Sequence, residues 1–266
     1  MNILVCIKQV PDTTEIKINP ETNTLIREGV PSIVNTFDTF ALETAARIKD
    51  VNNGSKIVVI TMGPEQAKNA LKECLAVGAD KAYLINDRAF GGSDTLATGY
   101  VLSKALAKVE EFEGKFDIIF CGKQAIDGDT AQVGPELAEN LDYPQVTYAV
   151  DASVEGSNLR VKKECDIGYE VLDVSMPCVV TVTKPAYEPR YPSIKSKMTA
   201  NRTDIPVLTS EDFDVDILYA GLKGSPTKVK KTFVPTVAKN NIIIKEETCE
   251  ASSKKLIKLL SDAAIL

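Results

Sequence analysis

The stretch from Cys121 to Pro135 carries the residues best suited to chemistry. Glycines stand at 122, 128 and 134 with small or polar residues between them, and a helix start follows at once. Glycines let a backbone approach a ligand closely, and the free N–H groups of a loop and of a helix N-terminus form a phosphate site. This spacing therefore predicts a nucleotide site.

Side chains in the same stretch extend that interpretation. Thr130 and Gln132 add hydrogen-bond donors, and Lys123 adds a positive charge. The alternative is a plain Gly-rich turn in which Asp127 and Asp129 cap backbone amides. Both interpretations stay open on the residues alone.

Other phosphate motifs are missing from the sequence. It contains no GxxxxGK[ST] pattern, which argues against a P-loop nucleotidase, and no GxGxxG follows the first predicted strand. The segment Gly91–Thr95 resembles a pyrophosphatase-type loop. Because it follows the third predicted strand and precedes a helix, we interpret it mainly as a helix cap.

The absence of histidine excludes several kinds of catalysis. Without imidazole there is no Ser-His-Asp or Cys-His nucleophile system and no His-ligated metal or haem. The six cysteines, at 6, 74, 121, 165, 178 and 249, form no CxxC pair, so zinc knuckles, ferredoxin-type clusters and dithiol redox sites lack support. We expect no metal site and no catalytic side chain. Any redox chemistry must come from an organic cofactor.

Composition limits the partners. The chain has 266 residues and a net charge of −6, which disfavours binding to nucleic acid. No apolar run approaches the ~20 residues of a membrane helix, and the N-terminus has no signal-peptide pattern, so we expect no membrane insertion. Unpaired cysteines indicate a reducing cytoplasm.

The first half of the chain alternates apolar runs with amphipathic stretches. Strands are predicted at 3–7, 57–60, 82–85 and 117–120, and helices at 37–49, 67–75, 97–106 and from 135 onward. Strand and helix in alternation predict a doubly wound α/β fold, with a mostly parallel sheet and helices on both faces.

The pattern changes after Tyr143. Strands are predicted at 146–150, 159–163, 169–174 and 179–183, followed by the Pro-rich stretch Lys184–Pro192, mixed polar sequence over 205–241, and a helix at 250–263. We therefore expect a nucleotide-binding α/β domain over 1–183, and over 184–266 an extended C-terminal arm and helix. That helix lies on a partner subunit or on the chain's own body.

Several ordered segments resemble the β subunits of electron transfer flavoproteins. They are Val5–Pro11, Val34–Asp38, Ala41–Glu43, Gly63–Pro64, Gly122–Gly134, Val161–Val182 and Glu188–Ile194. Together they extend along nearly the whole chain. The resemblance implies an electron-transfer subunit rather than a hydrolase or transferase, and it leaves open whether the subunit is itself an enzyme.

The resemblance also implies partners and cofactors. These β subunits pair with a longer, homologous α subunit that holds FAD. In the housekeeping branch the β subunit binds AMP. In an electron-bifurcating branch, the same pocket holds FAD that accepts hydride from NADH. That branch sends one electron toward the α-subunit FAD, and then to an acyl-CoA or related dehydrogenase, and the other to ferredoxin or flavodoxin.

The family's pocket transfers to positions of this sequence. The resemblance places Cys6 at the adenosine, Asn35 to Asp38 at the ribose or adenine, and Met62 at the closing side. It places the segment beginning at Gly122 around the phosphates. The expected cofactor-binding residues are Cys6, Asn35, Thr36, Phe37, Asp38, Met62, Gly63, Gly122, Lys123, Gln124, Ala125, Ile126, Asp127, Gly128, Asp129, Thr130, Ala131, Gln132 and Val133.

Two differences from the family's housekeeping pattern indicate which branch the sequence resembles. The housekeeping pattern has proline and cysteine where this chain has Thr36 and Asp38, and a bulkier acidic and amide run where it has 127–135. The small residues leave room for a diphosphate leading to a flavin. The sequence therefore resembles the bifurcating branch; the alternatives are an AMP-binding carrier and a stand-alone nucleotide-binding regulatory module.

The stretch Pro189–Ala200, the docking segment, resembles the family's recognition loop for an acyl-CoA dehydrogenase. Ile194 stands at the position of an apolar anchor, and lysines flank it. The expected docking residues are Arg190, Tyr191, Pro192, Ser193, Ile194, Lys195 and Met198. The alternative is a solvated loop with a chance isoleucine.

Overall fold

The computed structural model describes residues 1–12, 31–230 and 241–266. Its strands are β1 (Asn2–Cys6), β2 (Gln9–Pro11), β3 (Ser32–Val34), β4 (Lys56–Met62), β5 (Lys81–Ile85), β6 (Ile118–Gly122), β7 (Gln145–Glu155), β8 (Asn158–Cys165), β9 (Gly168–Ser175), β10 (Cys178–Val182) and β11 (Val207–Leu208). Its helices are α1 (Thr36–Val51), α2 (Lys68–Ala76), α3 (Thr95–Glu113), α4 (Val133–Leu141), α5 (Ile194–Arg202), α6 (Gly221–Gly224) and α7 (Cys249–Asp262).

Nine strands form one sheet, in the order β11-β5-β4-β1-β6-β10-β7-β8-β9. All neighbours from β11 to β7 run parallel, and β8 and β9 extend the sheet in antiparallel pairing. β2 and β3 form a separate antiparallel ribbon. The predicted doubly wound, mostly parallel α/β fold is confirmed.

β1 shows why the central strands have apolar residues at every position. Ile3 and Val5 pack into the core on one face of the sheet, whereas Leu4 and Cys6 pack into the core on the other. Successive strand residues point to opposite faces, so a strand covered on both sides needs apolar side chains throughout. Helix α1 covers the first face and α3 covers the second.

The structure contains elements that the sequence patterns did not predict. These are the β2–β3 ribbon, helices α5 and α6, and β11, which joins the sheet edge beside β5. The ribbon and β11 are too short to show alternation, and Ala200 is the buried residue of α5. Helix α4 begins at Val133, two residues before the predicted start. Part of the mixed polar stretch 205–241 lies outside the described residues.

None of the helices in the described part of the chain combines the length and apolar character needed to cross a lipid bilayer.

Candidate nucleotide site

The site lies where β1 and β6 end side by side. Cys6 and Cys121 are register partners in these parallel strands, so the segments that follow both strands leave the same edge of the sheet. The chain goes from β1 to β4 on one side and later returns to β6 on the other side. Such a switch point in an open parallel sheet is the usual ligand crevice. The predicted residues Cys6, Met62 and Gly122 share this edge.

Gly122 is required by the close approach of helix α1. A Cβ atom at position 122 would overlap the carboxylate of Asp38 and lie 2.7 Å from the carbonyl carbon of Phe37. Without that side chain, the backbone N–H of Gly122 donates to Asp38 Oδ1 at 3.2 Å. The glycine therefore places the start of α1 directly against the end of β6.

Asp38 is a buried carboxylate that accepts hydrogen bonds from three directions. Its Oδ2 accepts from the backbone N–H of Lys8 at 2.6 Å, and its Oδ1 accepts from Asn35 Nδ2 at 3.0 Å and from Gly122. Burial raises its pKa to about 7, and the bonds from Asn35, Lys8 and Gly122 oppose this rise.

Asn35 connects α1 to the Gly-rich loop, residues 123–132, between β6 and α4. Its side-chain Nδ2 donates to the carbonyl of Gln124 at 2.8 Å, and its Oδ1 accepts from the N–H of Ile126 at 3.1 Å. The residue is 1% exposed. Four predicted site residues, Asn35, Asp38, Gln124 and Ile126, are thus brought together.

The two acidic residues of the Gly-rich loop contact side chains. Asp127 Oδ1 pairs with Lys8 Nζ at 2.7 Å, and Asp129 Oδ1 accepts from Gln124 Nε2 at 2.7 Å. These contacts differ from the backbone-amide caps of the plain-turn alternative. Asp129 and Ala131 have φ values of 51° and 55°, a conformation in which the loop turns its backbone sharply.

Among the described residues, the N–H groups without an acceptor at the N-terminus of α4 are those of Val133 and Gly134, because Pro135 has no N–H and the N–H of Glu136 donates to the carbonyl of Gln132. Within the part of the chain that the structure describes, no side chain accepts a hydrogen bond from the first-turn amides of α4; Gln132, at the N-cap position, makes no such bond. By contrast, Asp94 caps α3, as predicted, by accepting from the N–H of Ala97 at 3.1 Å. Uncapped amides of a helix N-terminus carry partial positive charge and bind phosphate.

Gly134 sets the position of that helix terminus. A Cβ atom there would overlap the Cγ2 methyl of Thr181 in β10, which is buried. The first turn of α4 therefore rests on the sheet at van der Waals distance. Gly128 is surrounded by open space, because no described atom lies within 4 Å of a Cβ atom built at this position. The loop tip is open, whereas the helix start is packed.

Sequence reasoning missed four residues around the loop. Thr95 Oγ1 lies 3.2 Å from Gln132 Oε1 and 3.1 Å from Glu136 Oε1, which ties the end of the loop to α3. The ammonium of Lys123 lies 5.0 Å from the ring centre of Tyr148. Lys8 pairs with Asp127. Its position directly after the first strand, at the ligand-binding edge of the sheet, is the sequence feature that indicates a site residue. Tyr148, on β7, had no comparable signal in the sequence.

The remaining predicted cofactor residues lie around this centre. Thr36 and Phe37 open α1, and Met62 ends β4 with Gly63 beside it, where the N–H of Gly63 donates to the carbonyl of Ile85 at 3.0 Å. Contact between these positions and a cofactor stays a prediction.

The docking segment presents apolar side chains to solvent. Tyr191 is 94% exposed and Ile194 83%, and Met198 lies one turn of α5 further on. Ser193 caps α5 by accepting from the N–H of Ser196 at 3.0 Å. Arg190 differs, because its guanidinium bonds Glu43 and Asp50 on α1.

The residues present fit a bound nucleotide. Free amides at the start of α4 suit a phosphate, and the small side chains at 128, 130 and 131 leave the loop surface unobstructed. The site offers no histidine, and the buried thiol of Cys121 has a raised pKa, which disfavours nucleophilic catalysis by the chain itself. The geometry supports binding and orientation of a cofactor.

Comparison with known proteins agrees with this geometry. The sequence profile described as "Electron transfer flavoprotein domain" matches residues 22–213. Electron transfer flavoprotein subunit beta of Megasphaera elsdenii is 51% identical over 249 residues, 93% of this chain and 92% of that protein. The subunit beta of Thermoanaerobacterium thermosaccharolyticum is 52% identical over 262 residues, 98% of each chain.

A third relative has a more specific description. The Caffeyl-CoA reductase-Etf complex subunit CarD of Acetobacterium woodii is 46% identical over 266 residues, which is the whole of both chains. The profile match and these identities lead to one assignment: the chain belongs to the electron transfer flavoprotein family, among its β subunits.

Proposed function

We propose that this chain forms a heterodimer with an electron transfer flavoprotein α subunit and holds FAD at the Gly-rich loop. Bound there, FAD supplies the centre that takes hydride from NADH and passes the electrons singly, one toward the α-subunit FAD and one toward ferredoxin or flavodoxin. The observation that carries the proposal is the uncapped N-terminus of α4 behind the Gly-rich loop, in which Gly128, Thr130 and Ala131 are small.

In this scheme the chain's own residues bind and orient the cofactor. The first amides of α4 hold phosphate oxygens, since no described side chain occupies them. Lys8 and Gln124 keep the carboxylates of Asp127 and Asp129 engaged, which limits their repulsion of an anionic ligand. No side chain has to donate or accept a proton. The housekeeping alternative, with AMP in the same place, uses the same amides for a single phosphate.

The onward partner in this proposal is an acyl-CoA or related dehydrogenase. The name of the Acetobacterium relative places that protein in a complex with caffeyl-CoA reductase. The exposed Tyr191 and Ile194 give this chain an apolar surface of the type used in transient complexes. We place the reaction in the cytoplasm, where NADH is available.

The C-terminal region has the character of a subunit contact. Leu256 and Ile257 of α7 are about half exposed, and the helix has no buried residue among those that the structure describes. A helix with an uncovered apolar stripe gains stability when a partner covers it. We propose that residues 184–266 provide docking and subunit contacts, whereas residues 1–183 bind the nucleotide.

Anaerobic titration with NADH tests the proposed reaction. The αβ complex is purified with its natural cofactors, and flavin absorbance is followed while NADH is added; dithionite then measures the total reducible flavin. We expect NADH to reduce flavin in the complex. If dithionite reduces the flavin and NADH reduces none of it, the NADH-linked function is wrong and the AMP-binding carrier takes its place.

A further inference from the structure

Both polar atoms of the Asn35 side chain have hydrogen-bond partners within the protein. Its Nδ2 donates to Gln124 and Asp38, and its Oδ1 accepts from Ile126. Its backbone N–H donates to the carbonyl of Lys8 at 2.9 Å. One buried amide therefore joins the segment after β1, the start of α1 and the Gly-rich loop, and it offers no free polar atom to a ligand.

Asp38 acts as a hydrogen-bond acceptor through both of its oxygens. Both of its oxygens face N–H donors: Lys8 on one side, Asn35 and Gly122 on the other. An amide in this place, in either orientation, would put an NH₂ group against one of these donors. The carboxylate thus holds Asn35 and the end of β6 in fixed relation.

We propose that Asn35 and Asp38 are positioning residues that set the backbone of the Gly-rich loop for a nucleotide, and that their side chains do not touch it. This inference rests on the proposed nucleotide-binding function and gives these two residues a role within it. Asn35 acts on the loop through Gln124 and Ile126, and Asp38 acts by orienting Asn35. The nucleotide meets a loop whose shape is already fixed, so little ordering is needed on binding.

Removal of the amide has a predictable effect. In Asn35→Ala, the carbonyl of Gln124 and the N–H of Ile126 lose their partners, and because the loop lies at the surface, water takes their place. The loop is then no longer held in one shape before binding. We expect nucleotide affinity to fall about tenfold or more, the effect of losing one to two partly buried hydrogen bonds.

Hydrogen exchange and nucleotide titration together test this role. The αβ complex is freed of exchangeable nucleotide, the exchange rate of the Ile126 amide is measured, and AMP and FAD are then titrated separately. We expect Asn35→Ala to speed Ile126 exchange at least about tenfold and to weaken binding, with unchanged exchange at Val5 in the sheet. The matched control is Asn140→Ala, which removes an exposed asparagine bonded to the carbonyl of Glu136 on α4.

A second variant guards against loss of folding. Asn35→Ser retains a buried hydroxyl that cannot reach both Gln124 and Ile126, so it gives the same readout if the alanine variant does not fold. Wild-type affinity in either folded variant, or an Ile126 amide that already exchanges freely in the wild type, overturns the positioning role. If neither AMP nor FAD binds the wild-type complex, the proposed function itself fails, whatever the exchange rates show.

Discussion

The guanidinium of Arg190 is held by the carboxylate of Glu43, which lies on helix α1. Nε donates to Glu43 Oε2 at 2.8 Å and a terminal nitrogen donates to Oε1 at 3.1 Å, while the backbone N–H of Arg190 also donates to Oε2. Asp50 completes the arrangement at 2.8 Å. The docking segment is therefore anchored to the same helix that begins at the nucleotide site, and Arg190 is engaged within the chain.

Arg190→Lys should destabilise this anchor. Lysine keeps the charge but cannot form the paired bonds to Glu43, whose carboxylate is buried. We expect a loss of about 1 to 2 kcal/mol in the free energy of unfolding, measured by urea denaturation. The matched control is Arg160→Lys, an exposed residue of strand β8, for which we expect no measurable change. Equal stability of the two variants would contradict the anchoring role.

Ile194→Ala should weaken docking alone. The side chain is 83% exposed on α5, so its loss removes apolar surface from a complex without disturbing the core. We expect KM for an acyl-CoA dehydrogenase to rise about tenfold, with unchanged flavin content and melting temperature. Ile167→Ala, in the exposed turn between β8 and β9, is the control. Unchanged partner kinetics for Ile194→Ala would rule out the anchor.

Ionisation of Asp38 should make stability depend on pH in an unusual direction. Burial raises its pKa from 3.8 to about 7, so the folded state binds the proton more tightly than the unfolded state. Protonated Asp38 therefore stabilises the folded state below about pH 4. This contribution, about 4 kcal/mol, is lost as the pH rises to about 7. Comparison with Asp38→Asn isolates the effect, because the amide does not titrate and its unfavourable contact with the N–H donors lowers stability equally at every pH.

The neighbouring groups leave that comparison interpretable. The thiol of Cys74 has a pKa raised by burial, and that of Cys121 is raised by its hydrogen bond with Cys6 and by burial, so both stay neutral. Lys8 also faces the carboxylate. The measured quantity is the unfolding free energy of the wild type minus that of Asp38→Asn. We expect this difference to decrease between about pH 4 and pH 7 and to stay constant at higher pH. A constant or rising difference would be inconsistent with the buried charge.

The fold could be predicted from sequence where burial dictates residue type. β1 and β4 are apolar at consecutive positions because both faces are covered, and α1 shows helical spacing because one face is. The strand β11 could not be predicted, since two residues carry no period. It forms because a neighbouring strand, β5, offers an unpaired edge.

The position of the candidate site could be predicted from the sequence, but its packing contacts and hydrogen bonds could not. The three glycines indicated the loop, and two of them prove to be packing requirements: Gly122 against Asp38, and Gly134 against Thr181. The bonds of Asn35 join residues 89 and 91 positions apart, so they arise from the tertiary fold and leave no local pattern. The family resemblance named these positions without giving their partners.

Gly134 and Gly128 should respond differently to substitution by alanine. Gly134→Ala forces a methyl group against Thr181, whose hydroxyl accepts from the N–H of Tyr148, so the strand side chain resists rotation. We expect a loss of about 1 to 3 kcal/mol in unfolding free energy. Gly128→Ala, with open space around its Cβ and no positive φ, should unfold like the wild type. Equal effects in calorimetry would show that α4 does not rest on the sheet as described.

The nucleotide content of the purified αβ complex tests the central claim most directly. The complex is isolated anaerobically, its nucleotides are released by denaturation, and FAD and AMP are counted per heterodimer. The proposal predicts two FAD and no AMP, one FAD at the Gly-rich loop of this chain and one in the α subunit. One FAD with one AMP would contradict it.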